Sequence, residues 1–117
     1  MKKYIVLIIL ATLYSCDSHT YDDISEPIET GEIITYVADV KPIIDGNCIS
    51  CHSAGGTASF RPLTTYAEVT GAIQNAGLLQ RIQLANGEPG LMPQTGRMPQ
   101  TTINVVLEWV NGGMPKN

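Results

Sequence analysis

The chain has 117 residues, 44% of them hydrophobic, with 11 acidic and 7 basic side chains. That length allows one domain, and an acidic balance without a basic face excludes nucleic acid as an expected partner. Three cysteines cannot build a disulfide framework, so a small core has to be supplemented in some other way.

In chain order, Lys2 and Lys3 precede ten almost wholly apolar residues, 4–13. A spanning helix needs about 20 residues; this shorter run fits the hydrophobic region of an export signal. It ends in Leu13-Tyr14-Ser15-Cys16, which resembles the lipobox of bacterial lipoproteins. Tyr14 stands where that family has a small residue. The resemblance implies that residues 1–15 are a lipoprotein signal peptide and that Cys16 is acylated. It also implies attachment to a bacterial membrane on its periplasmic or surface side. More than one acyl chain on a residue anchors a protein firmly.

Loss of Lys2 and Lys3 leaves five bases against eleven acids, a net charge of −6. Six of those acids (Asp17, Asp22, Asp23, Glu26, Glu29, Glu32) fall within residues 17–32, which have no Lys or Arg. Residues 16–34 are therefore expected to be the lipidated Cys and a flexible acidic tether, with a mean reach of roughly 23 Å. Residues 33–117 balance five acids with five bases, and the folded domain is expected over 35–117.

Within that domain the pattern predicts an all-α fold of three to four helices. Val37, Val40 and Ile44 lie at i, i+3 and i+7, one face of a helix over 36–47. Thr35 or Asp39 is placed to cap it. Pro42 must kink this helix or mark where its regular part begins, near residue 41. Residues 53–63, rich in Ser, Gly and Thr, read as a loop. Thr65 and Glu68 have capping-box spacing for a second helix reaching residue 74. A short helical piece follows over 78–84, then a Gly/Pro loop over 86–98. The last helix opens at Pro99, continues to residue 110 and stops at Asn111-Gly112-Gly113. Its apolar face is Ile103, Val106, Leu107 and Val110, with Trp109 alongside.

The chemistry lies at Cys48-Ile49-Ser50-Cys51-His52. Positions i, i+3 and i+4 share one face of a helical turn. Two thiols can then reach two vinyl groups on one porphyrin edge, while the imidazole rises beneath the iron. Cys-x-x-Cys-His reads as c-type haem attachment, with Cys48 and Cys51 as thioether donors and His52 as an iron ligand. A structural zinc site would want four ligands, and the other Cys and His, Cys16 and His19, stand in the tether. A thioredoxin-like pair would want strands. A Cys48–Cys51 disulfide would leave His52 without a role. One covalent haem c would also supply the apolar core that a domain this small lacks.

Over roughly residues 35–115 the chain resembles class I cytochromes c. The matched features are the helix before Cys48, a Pro62-Leu63 pair after His52, a Met-Pro loop and a C-terminal helix with an aromatic, Trp109. The lead-in Asp39-Val40-Lys41-Pro42-Ile43-Ile44 is similar to that of small monohaem bacterial lipoproteins. The resemblance implies a cytochrome c-like domain in which the first and last helices cross. Val37, Val40 and Ile44 should then meet Val106, Trp109 and Val110. It also implies that the carbonyl of Pro62 receives the second ring nitrogen of His52.

Met92, Met98 and Met114 each precede a proline, which favours an extended backbone at the methionine. Met92 is the preferred second iron ligand, because in the resembling family a Gly-containing loop separates the ligand Met-Pro from the last helix. Met98, abutting the helix start at Pro99, is the alternative ligand or else a hydrophobic staple. Met114 is expected at the surface. Haem walls are expected from Phe60, Leu63, Tyr66, Ile73, Leu78, Leu79, Ile82 and Leu91, and propionate partners from Arg81, Arg97 and Tyr66. A cavity lined by Cys48, Cys51, His52 and Met92 should mark the haem position. The implied activity is electron carriage between redox proteins, such as a membrane oxidoreductase, oxidase or reductase, with no catalysis. The alternatives are a haem-based redox or gas sensor, or the haem subunit of a larger oxidoreductase.

Overall fold

Proline 42 decides how the first helix is wound. The computed structural model describes residues 31–117 and opens with a π-helical turn, Tyr36–Val40, that runs directly into α1, Lys41–Asn47. Val40 N–H donates to the carbonyl of Thr35 at 3.3 Å, five residues back. Pro42 offers no N–H, and in a continuous α-helix its ring would press on the carbonyl of Ala38. The wide turn relieves this clash, and the regular helix starts at Lys41. Thr35 is the N-cap: its hydroxyl accepts from Ala38 N–H at 3.3 Å, and Asp39 accepts from Thr35 N–H at 2.8 Å.

The wide turn also changes which face is buried. Tyr36, Val40 and Ile44 form the core stripe, while Val37 is 51% exposed. In a turn of more than four residues, the position four before Val40 faces inward and the position three before faces out. Val37 is thus corrected from core to surface, and Tyr36 takes its place.

Three further helices follow: α2, Tyr66–Asn75; α3, Leu78–Gln83; and α4, Gln100–Asn111. Helix α2 begins with a complete capping box, Thr65 accepting from Glu68 N–H while the Glu68 carboxylate accepts from Thr65 N–H. Gly77 takes φ of +67° between α2 and α3, a left-handed turn that costs glycine nothing. Pro99 is the N-cap of α4. Met98 before it and Ile103 after it are both buried, as a staple requires.

The π-helical turn packs on α4, α2 on α3, and α3 on α4. Val40, Ile44, Val106 and Trp109 share one core with Leu63, Val69, Leu78, Ile82, Met98 and Ile103, and Val110 packs at its edge. Trp109 is fully buried, with Tyr36 and Tyr66 rings 5.8 and 6.2 Å from it. Its indole N–H donates to the carbonyl of Pro115 at 2.8 Å. The same carbonyl accepts from Tyr36 N–H at 2.9 Å, and the Lys116 carbonyl accepts from Val37 N–H at 3.1 Å. The C-terminal tail therefore satisfies amide donors that the first helical turn leaves open.

Among the described residues there are no strands, and the domain is all-α. Glu32–Asn117 forms one compact unit. No helix among the described residues is long and apolar enough to cross a membrane. Cys16 and the expected signal peptide lie outside the described residues, as does most of the tether.

Candidate haem-attachment site

Helix α1 stops at Asn47, yet its winding continues into the next residues. Cys48 N–H donates to the carbonyl of Ile44 at 2.8 Å. The Cys48 carbonyl then accepts from Cys51 N–H at 3.2 Å and from His52 N–H at 2.9 Å. These i+3 and i+4 bonds make residues 48–52 a closed helical turn, so the three side chains project from one short arc. Both cysteines are free thiols, Cys48 half-buried against the core and Cys51 exposed. Burial pushes the Cys48 thiol up to about 11, because a thiolate there would lose solvation.

His52 is held by the loop that follows it. Its Nδ1 lies 2.7 Å from the carbonyl of Arg61. As the donor to that carbonyl, Nδ1 carries the proton and leaves Nε2 free to act as a ligand. The Pro62 carbonyl assigned to this role is replaced by that of Arg61. The reason is peptide geometry. Leu63 N–H donates to the His52 carbonyl at 2.9 Å. In a trans peptide the Pro62 carbonyl points opposite to Leu63 N–H, hence away from His52. The carbonyl one peptide earlier, Arg61, faces back toward it. Pro62 still acts on the site, by favouring extended backbone at Arg61.

Gly56 brings the loop over the motif. Ala58 N–H donates to the Cys51 carbonyl at 2.9 Å. A Cβ at Gly56 would stand 2.3 Å from the Cys51 oxygen and 2.7 Å from its carbon. Only glycine permits this approach. The Gly55-Gly56 pair was the available sign, but a glycine pair in a loop does not say which backbone it will meet.

Met92 stands on the loop between α3 and α4. It is half-buried and lies outside the core that includes Met98, which is 5% exposed. Met92 N–H donates to the carbonyl of Arg81 at 3.1 Å. Among the described residues no hydrogen bond joins this loop to the turn of residues 48–52. Neither of two open concavities on the described surface is the expected haem cavity. One is walled by Asn75, Gln80, Arg81, Leu84 and Gly90, and the other by Tyr36, Lys41, Thr65, Tyr66 and Lys116.

The other expected contacts divide. Leu63, Leu78, Ile82 and Leu91 are buried, Ile73 and Leu79 are half-buried, and Phe60 is 82% exposed. The Tyr66 hydroxyl donates to the carbonyl of Met114 at 2.8 Å. Tyr66 belongs with Tyr36 and Trp109 rather than with a charged ligand group. Met114 is half-buried against the core, not at the surface, because its backbone is held between Tyr66 and Trp109. Arg81 donates to the carbonyl of Gly90 and Arg97 to Gln100. Among the described residues no three His, Cys, Asp or Glu side chains gather as an ion-binding group.

Compared with protein-family models, with curated proteins and with solved structures, the chain gives no match.

Proposed function

We propose that this chain is a membrane-tethered monohaem c-type cytochrome that carries single electrons between redox proteins. The observation that supports it most is the oriented imidazole. His52 has Nδ1 bound to a backbone carbonyl, on the same closed turn as two free thiols. Two thiols and one oriented imidazole are the donor set that covalent haem requires. Haem held there would supply reversible one-electron exchange at its iron.

The chain's own residues have distinct tasks. Cys48 and Cys51 would hold the macrocycle, and the rigid turn between them would fix its edge. Arg61 would keep His52 in one tautomer and orientation, which limits reorganisation during electron transfer. Met92 is the second ligand of this reading: Met98 is committed to the core, whereas Met92 is not. A neutral thioether raises the reduction potential and keeps the position filled. In this reading Cys16 carries the lipid anchor, and the acidic tether lets the domain reach a membrane oxidoreductase, oxidase or reductase.

The test is expression alongside a haem-attachment system, followed by a haem stain after denaturing electrophoresis. A stained band is expected, and Cys51→Ser should weaken it. An unstained parent band would end this reading. With haem present, Met92→Ala should remove the methionine–iron absorption band while Met98→Ala keeps it. Rapid carbon monoxide binding to the reduced parent protein would favour a sensor over a carrier.

A further inference from the structure

We propose that Arg81 is the positioning residue for Met92, a role that rests on Met92 being the second iron ligand. Arg81 grips the loop on both sides of Leu91. Its main-chain carbonyl accepts from Met92 N–H at 3.1 Å, and its guanidinium Nη1 donates to the carbonyl of Gly90 at 3.3 Å. Between these bonds Leu91 is only 8% exposed. Gly90 and Met92 are thus tied to Arg81 of α3 by two hydrogen bonds, with Leu91 buried between them.

The remaining bonds of this loop stay within it or, from Arg97, reach Gln100 of α4. Glu88 accepts from Leu91 N–H at 3.2 Å through its carbonyl, and Asn86 Oδ1 accepts from Arg97 N–H at 2.8 Å. Among the described residues Arg81 is the only member of α3 whose hydrogen bonds hold the loop. The loop has also made room for the guanidinium. Gly90 has φ of +93°, and a Cβ there would come within 3.3 Å of Nη1. A side chain at residue 90 would crowd the bond that Arg81 makes.

The main-chain bond survives any substitution at residue 81, so a change of side chain isolates the guanidinium. Arg81 is exposed, and its replacement leaves the core intact. With that clamp gone, the loop should leave the iron more often, and an outside ligand should compete better for the vacated position.

The measurement is an imidazole titration of the oxidised, haem-bearing protein. Arg81→Gln is expected to bind imidazole about fivefold more tightly than the parent, the effect of losing one exposed charged hydrogen bond. Arg81→Lys, which keeps the charge but not the fork, should recover only part of the difference. Gln83→Ala, whose side chain bonds the Leu79 carbonyl within α3 instead, should match the parent. Equal imidazole affinity for Arg81→Gln and parent would overturn the proposal while leaving the haem reading intact. A methionine–iron band that survives Met92→Ala would overturn the proposal together with the ligand choice. An unstained parent chain would overturn the proposal together with the haem reading.

Discussion

Adding one methyl group at Gly56 should disrupt the turn of Cys48, Cys51 and His52 more than changing most side chains around it. The Cβ of Gly56→Ala would begin 2.3 Å from the Cys51 oxygen and 3.1 Å from its Cα. Both are backbone atoms, so no side chain can rotate away. The loop must retreat by about 1 Å to reach ordinary contact. That retreat breaks the bond from Ala58 N–H to the Cys51 carbonyl and strains the one from His52 to Arg61. Losing one to two such bonds costs about 1–3 kcal/mol, or on the order of 10 °C in Tm for a domain of this size. Gly46→Ala is the internal comparison. It lies inside α1, its Cβ would meet nothing within 4 Å, and it should gain about 0.5–1 kcal/mol from helix propensity. Thermal melts followed by circular dichroism should therefore move in opposite directions for the two variants. Hydrogen exchange at the Ala58 amide should accelerate in Gly56→Ala alone. A Gly56→Ala melt that overlays the parent would refute the close-approach argument.

The other expectations are as follows. Met98→Ala removes a core side chain and should cost about 2–5 kcal/mol by denaturant unfolding, whereas Met92→Ala in haem-free protein should cost less than about 1 kcal/mol. Thr65→Ala should cost about 1 kcal/mol through loss of the α2 cap. Hydrogen bonds from Thr64 and Thr65 hold the Glu68 carboxyl below its ordinary value. Its contribution is thus fully present above the usual carboxylate range and lost as pH falls through the depressed value. The Tm difference between the parent and Glu68→Gln should shrink correspondingly on acidification. In haem-free protein Cys48 should alkylate more slowly than exposed Cys51 at pH 8. Its rate should rise about tenfold per pH unit toward the value of about 11 set by burial. Equal labelling of both thiols at pH 8 would contradict the burial of Cys48.

The parts of this protein legible in its sequence are those decided within one or two helical turns. Cys48, Cys51 and His52 share a turn because covalent spacing alone puts i, i+3 and i+4 together. Thr65 and Glu68 cap α2 for the same reason, and Pro42 forces the regular helix to begin beside it. What tertiary structure decided depends on segments far apart in the chain. Regular helical spacing put Val37 on the buried face, but the π-helical turn and the packing of Trp109 chose Tyr36 instead. The bond from His52 went to Arg61 rather than Pro62 because Leu63 N–H had already turned the intervening peptide away. Met114 was held half-buried against the core by a hydroxyl 48 residues earlier, that of Tyr66. Side-chain spacing specifies which groups can act together locally. Which backbone carbonyl or helix face each group meets is settled only when distant segments compete for the same space and the same hydrogen-bond donors.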